Sequence, residues 1–222
     1  MTRHMQREIE KLKKMLLTLS AQVEESVQRA VQSVERRDAV LGKKIIAGDV
    51  EVDHLEVDVE EECLKLLALY QPVAADLRFI VAVLKINNDL ERIADLAVNI
   101  AERAVFLSEG LRVEIPFDFT GMAGKARTML KQSLDALVNQ DAPLARKVMA
   151  LDDEVDAINR HMYDQVKQGM RQHPESLDAL IHLLSVSRHL ERIADHTTNI
   201  AEDVLYMIDG EIVRHKTEDF KT

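Results

Sequence analysis

Tryptophan is absent from this 222-residue chain, which holds only three tyrosines and five phenylalanines. A core must therefore be filled by Leu, Val, Ile, Ala and Met. Apolar residues make up 46% of the chain, so the material is ample, and its kind favours helices over sheets. Glycine (7) and proline (4) are scarce, and Pro72, Pro116, Pro143 and Pro174 fall where elements would begin or end, so long uninterrupted helices are expected. A single cysteine, Cys63, excludes an internal disulfide and reads as a small buried residue. No apolar run approaches the roughly 18 residues of a membrane span; the best, Phe79 to Leu84, is closed off by Arg78 and Lys85. The opening residues, Met1 to Glu8, lack the apolar core of a secretory signal, so a cytoplasmic location is expected. Positive charge is in deficit, 29 Lys and Arg against 39 Asp and Glu, and a net charge of −10 argues against binding nucleic acid. A Gly-rich phosphate loop, a Ser/His/Asp set and a cysteine nucleophile are also missing, so no enzyme is expected.

What the chain does have is an internal duplication. Leu90-Glu91-Arg92-Ile93-Ala94-Asp95, followed by Asn99-Ile100-Ala101-Glu102, recurs as Leu190 to Asp195 and Asn199 to Glu202. Upstream, Lys44, Asp49, Glu51 and Asp53 align with Lys147, Asp152, Glu154 and Asp156. The downstream pairs are 100 positions apart and the upstream pairs 103, so the first copy carries three extra residues, placed near Tyr70 to Ala75.

Apolar periodicity divides the chain into six helices: Arg3 to Arg36, then one capped by Asp38 and reaching Tyr70, then one from Pro72 to Glu109. The fourth runs from Met122 to Asn139, the fifth opens at Asp141 and Pro143 and reaches Met170, and the sixth runs from Pro174 to Asp209. The expected architecture is all-α: two tandem antiparallel three-helix bundles, at 1–110 and 122–211. A linker over 111–121 contains Phe117-Asp118-Phe119, and a charged tail follows at 212–222.

Rotating about 100° per residue places Glu91, Asp95, Asn99 and Glu102 on one stripe of the third helix, and Glu191, Asp195, Asn199 and Glu202 on the same stripe of the sixth. Asp49, Asp53, Glu56 and Glu60 share a stripe of the second helix, as Asp152, Asp156 and Asn159 do on the fifth. A charged stripe is ordinarily a solvated face, and like charges four apart cost only about 0.2–0.5 kcal/mol there. A solvated face, however, leaves duplicated copies free to drift among polar residues, whereas these acids match to the letter. If the two stripes of a half face each other, their carboxylates repel unless a cation lies between them. Oxygen ligands without cysteine suit magnesium, manganese, calcium or iron, and admit zinc. Asn159 and Tyr163 stand where Glu56 and Glu60 stand, so the second site is expected to be poorer in charge. His54 and His196 lie off the stripes and read as surface or packing residues, with His196 at the edge of a site.

These residues resemble the PhoU family. Gln71-Pro72-Val73-Ala74-Ala75-Asp76-Leu77-Arg78 with Asp89 to Asp95 is similar to the family's first signature, and His189 to His196 with Asn199 to Glu202 is similar to its second, although Ala94 and Ala194 replace a usual glycine. The resemblance implies metal ions at Asp49 with Asp53, Glu91 with Asp95, Asp152 with Asp156, and Glu191 with Asp195. It also implies a homodimer and a negative regulator of phosphate uptake and the starvation response. Such a regulator links the ATP-binding subunit of a phosphate ABC transporter to a sensor histidine kinase. A metal-storage or structural bundle, or a carboxylate-bridged metalloenzyme, is the alternative reading.

Overall fold

The computed structural model describes residues 3–110 and 119–210. Its helices are α1 (Arg3–Arg36), α2 (Ala39–Tyr70), α3 (Ala74–Glu109), α4 (Phe119–Asn139), α5 (Ala142–Gln172) and α6 (Leu177–Asp209), with a 3₁₀ turn at Pro174–Ser176 before α6. They form the two three-helix bundles expected. The charged tail and most of the linker lie outside the described residues.

Each half makes its first tight turn in the same way. Arg37 and Gln140 both take a left-handed φ of 51°. The aspartate that follows caps the next helix: Asp38 Oδ1 accepts the Leu41 N–H and Asp141 Oδ1 the Leu144 N–H, each at 2.9 Å. Such a cap satisfies one of the four N–H groups that a helix start leaves open. The second connection differs between halves. Between α2 and α3 lie Gln71, Pro72 and Val73, and Gln71 closes α2 with a left-handed φ of 46°; between α5 and α6 lie His173 and a 3₁₀ turn, and α3, at 36 residues, is three longer than α6, at 33.

Four boundaries depart from expectation: α3 begins at Ala74 rather than Pro72 because Val73 is still extended, α6 begins at Leu177 because Pro174 opens a 3₁₀ turn instead, and α4 and α5 are each longer at one end. Helix α4 begins at Phe119, not Met122, because Phe119 continues the buried stripe of Met122, Ala123, Ala126 and Met129 by one further turn. The expected linker therefore loses its last three residues to the second bundle. Helix α5 extends to Gln172, two residues past Met170.

Burial identifies the spine. Fourteen residues of α3 and sixteen of α6 are buried, against seven of α2 and five of α5. Helices α3 and α6 pack on each other across the duplication about as extensively as either packs on any single helix of its own bundle. They run antiparallel: Lys85 Nζ meets Asp203 Oδ1 at 2.9 Å near one end, and Phe106 stacks on His182 at 3.7 Å near the other. Cys63 is fully buried, and burial followed by the charges of Glu62 and Glu60 pushes its thiol up to about 12, so it is inert filling. Among the described residues no helix is long and apolar enough to cross a membrane.

Helix α2 comes unusually close to α3 at Gly42. A Cβ built there would lie 2.9 Å from Val105 Cγ2 and 3.0 Å from the Ala101 carbonyl oxygen, which is backbone and cannot turn aside. The aligned residue of the second half is Ala145, so the close approach is particular to the first bundle. Gly42→Val is expected to cost about 1–3 kcal/mol by overpacking. A fall in the urea midpoint at unchanged m-value checks this; an unchanged midpoint would mean that α2 simply shifts outward.

Candidate metal centres in two acidic grooves

In each half the outer helix and the spine helix are locked in register by one buried polar contact. Asn87, on α3, donates from Nδ2 to the Glu56 carbonyl and carboxylate of α2, at 3.0 Å each. At the aligned place in the second half, Ser187 donates its hydroxyl to Asn159 Oδ1 at 2.6 Å. Both donors are buried, so slipping the helices would leave them unsatisfied, at about 1–3 kcal/mol each. This register sets the acidic stripes face to face along two open grooves. One, of about 670 Å³, is lined by Asp53, Glu56, Glu60 and Glu91. The other, of about 600 Å³, is lined by Asn159, Tyr163, Glu191 and Asp195.

The charges act on each other across the helices. In the first groove, burial and then the charges of Asp53 and Asp95 hold Asp49 above the ordinary carboxylate range. Burial and then Asp95 do the same to Glu91, against the pull of Arg92. Glu56 is also raised, by burial and then by Glu60 and Asp53. In the second groove burial, then Asp195 and Asp156, push Asp152 up to about 6. Glu191 is raised by burial, Asp195 and Asp156, and Asp195 by burial and Asp156.

Crowded carboxylates in a partly dehydrated groove call for a cation. The donor set fits a hard one: every group is a carboxylate or amide oxygen, and Asp152 Oδ1 is buried with no hydrogen-bond partner. Among the described residues no three such side chains converge closely enough to grip an ion as they stand. Binding therefore requires side-chain rotation within the groove. The arginines at the rim show how loosely the acids are held otherwise: Arg92 reaches Glu91 at 3.3 Å and Asp95 at 3.5 Å, and Arg160 reaches Asp156 at 3.6 Å.

The groove-bearing repeat is itself diagnostic, because the PhoU domain model matches the chain twice, over residues 16–104 and 119–204. The chain belongs to the PhoU family. It is 37% identical over 210 residues to an Aquifex aeolicus protein named as a phosphate-specific transport system accessory protein PhoU homolog, covering 95% of each chain. The crystal structure of PhoU from Pseudomonas aeruginosa matches with a TM-score of 0.88 at 32% identity, over 93% of this chain and 99% of that one. The phosphate transport system regulatory protein PhoU from Streptococcus pneumoniae also matches at 0.88, with 28% identity over 94% of this chain and 99% of that one.

Of the residues singled out from sequence, Asp53 and Glu91 line the first groove of this PhoU chain, with Asp49 and Asp95 near enough for their charges to act on one another, and Glu191 and Asp195 line the second, with Asp152 and Asp156 likewise near. The other four face different partners. Asn99 donates to the Asp95 carbonyl at 2.8 Å, and Glu102 pairs with Arg103 at 3.1 Å. Asn199 donates to Asp89 Oδ1 at 3.2 Å, across the duplication, and Glu202 is buried beside Asp203. His196 bonds the same Asp89 oxygen at 2.8 Å, so it packs the halves together. Asn159 and Tyr163 do thin the second groove's charge, yet Asp152 is pushed furthest of all, because more of its surface is withdrawn from water.

A carboxyl raised on folding stabilises the fold while protonated: the contribution is complete below 3.8 and is lost as pH rises through about 6. Metal-free protein should therefore become more stable between pH 7 and 5. Discounted for solvent in the open groove, the gain is about 1 kcal/mol, or about 2–4 °C. Thermal melts of chelator-treated protein across that range check this; a flat or falling melting temperature removes the crowding.

Proposed function

We propose that this protein is a negative regulator of phosphate uptake and of the phosphate-starvation response. It acts as a cytoplasmic, homodimeric, metal-binding adaptor between the ATP-binding subunit of a phosphate ABC transporter and a sensor histidine kinase. The observation that carries the reading is the pair of duplicated acidic grooves in a chain of this family, whose relatives carry names of phosphate-transport accessory proteins. Iron, zinc, manganese, magnesium or calcium at Glu91 with Asp95 and Glu191 with Asp195 would turn a patch that repels acidic partners into one that binds their carboxylates. Such an ion would be a bridge rather than a catalyst, since the grooves offer it no histidine base.

Deleting the gene and measuring phosphate-starvation expression in rich medium tests the role; unchanged expression would overturn the regulator reading. For the bridge, metal-free protein is titrated with each partner beside a thermal melt. Chelation, or Glu91→Ala/Asp95→Ala with Glu191→Ala/Asp195→Ala, should weaken association tenfold or more while helical circular dichroism stays intact. Affinity indifferent to metal would dismiss the bridge and leave the adaptor.

A further inference from the structure

We propose that the end of the molecule where α1, α3 and α6 meet is an oxyanion site built around Arg78, taking a carboxylate or phosphomonoester carried on an apolar body. The site lies outside both acidic grooves and does not depend on metal. A cavity of about 370 Å³ opens there, with Gln6 and Lys13 of α1, Arg78 and Phe79 of α3, and Gln140 of the α4–α5 turn in its wall. That volume is in the range of small-molecule sites and several times what a bare phosphate fills.

Arg78 carries a charge with no matching acceptor. Its Nε is buried without a hydrogen-bond partner, and among the described residues its guanidinium enters no ion pair. A buried charged donor left unmade is costly, and an oxyanion that the side chain turns to meet would relieve that cost. The backbone of Gly210 covers the guanidinium from one side: a Cβ there would lie 3.5 Å from Arg78 Cζ and Nε. This is the carboxyl end of α6, whose dipole favours a cation but supplies no hydrogen bond here.

The two carboxylates lining the cavity do not neutralise it. Glu10 is held by Lys13 Nζ at 2.9 Å. Asp76 sits two residues before Arg78, a spacing that points side chains apart on a helix, and lies in the first turn of α3, at its positive pole. The aligned residue in the second half is Asp178, so the cationic cavity is particular to this end of the molecule. Outside the cavity α1 presents Arg3, Arg7 and Lys14 along an adjoining groove, beside Lys11, which is paired with Glu62 at 2.7 Å. In a chain of net charge −10 this is a local cationic approach that raises anion concentration at the mouth.

The ligand's chemistry follows from the walls. A guanidinium presents parallel N–H groups that match the two oxygens of a carboxylate or phosphate. Ile9, Phe79, Met207 and Ile208 of the same wall supply apolar surface that a bare inorganic ion leaves unused.

The test is a titration of full-length protein labelled with ¹⁵N-arginine, following the Arg78 Nε–H resonance, identified by its absence from Arg78→Gln. Phenyl phosphate, benzoate and inorganic phosphate are added at constant ionic strength. Saturable shifts with phenyl phosphate or benzoate, at least tenfold tighter than with inorganic phosphate, are expected and assign an organic oxyanion. Equal affinity for inorganic phosphate would keep the Arg78 site but overturn the apolar body, leaving free phosphate as its occupant. Calorimetric titration with phenyl phosphate, which needs no Arg78 resonance, should show Arg78→Gln weakening binding at least tenfold and Arg78→Lys measurably, since lysine keeps the charge and loses the fork. Gln140→Glu, on the exposed turn, should block the site with an internal carboxylate in a protein whose fold is untouched. Metal content should be the same in all variants, which separates this site from the grooves. Absence of a saturable shift, or binding that Arg78→Gln and Gln140→Glu leave unaltered, overturns the proposal.

Discussion

Expressed without the other half, residues 1–110 should fail to persist as a folded monomer, and should appear as aggregate or as a dimer in which α3 pairs with its own copy. Helix α3 is shared among α1, α2 and α6, and its fourteen buried residues include Ile80, Ile86, Leu90, Ile93 and Ile100 with no exposed surface. Uncovering even three or four such side chains forfeits about 1.5–3 kcal/mol each, comparable with the whole stability of about 5–15 kcal/mol expected of a folded chain. Sedimentation of the purified half, with and without the half spanning 111–222, measures this. A monomer that melts cooperatively by itself would mean that the bundles are independent domains and that the α3–α6 contact is secondary. Recovery of a 1:1 complex on mixing is the expected complement.

The second large effect concerns the grooves. Asp152→Asn with Glu191→Gln should abolish metal uptake at the second groove, lowering affinity at least a hundredfold, and yet raise the melting temperature of the metal-free protein. Both directions come from one cause: these carboxylates are raised by burial and by neighbouring acids, chiefly Asp195 and Asp156, so neutral isosteres relieve repulsion that the arginines at the rim offset only in part. Glu91→Gln with Asp95→Asn should do the same for the first groove. Elemental analysis of dialysed protein and calorimetry with and without chelator supply both readouts. If the variants keep their metal, the ions sit elsewhere; if they lose metal and also melt lower when metal-free, the acids are held by contacts other than repulsion.

Helix boundaries were legible where a cap or a change of periodicity marks them, as at Asp38, Asp141 and the ends of α2 and α3. Phe119 escaped because Pro116 and Asp118 nearby read as linker, although it stands three and four residues before Met122 and Ala123 on the same stripe. The carboxylates of the grooves were legible because the duplicated copies agree in them. Asn99, Glu102, Asn199 and Glu202 agree between copies too, yet their partners differ, since rotation about a helix axis gives a direction and not what lies in that direction. Contacts between halves draw on both kinds of position: Leu96 has become His196, which reaches Asp89, while Asn199 reaches the same oxygen although its copy Asn99 is identical and bonds within its own helix. Agreement between copies therefore marks a candidate residue without saying which half it serves.

Lys85 with Asp203 and Asp89 with His196 and Asn199 cluster toward one end of the spine, while His189, near Arg103 and held by burial at about 4, stands toward the other. Two separate identical subunits packed through this helix would have to write every substitution twice, once at each end of the axis, and a favourable acid at one end would return as the same acid at the other. Joining the copies into one chain lifts that constraint. Each end of the spine can be tuned by itself, so a molecule with two similar grooves can answer two dissimilar neighbours.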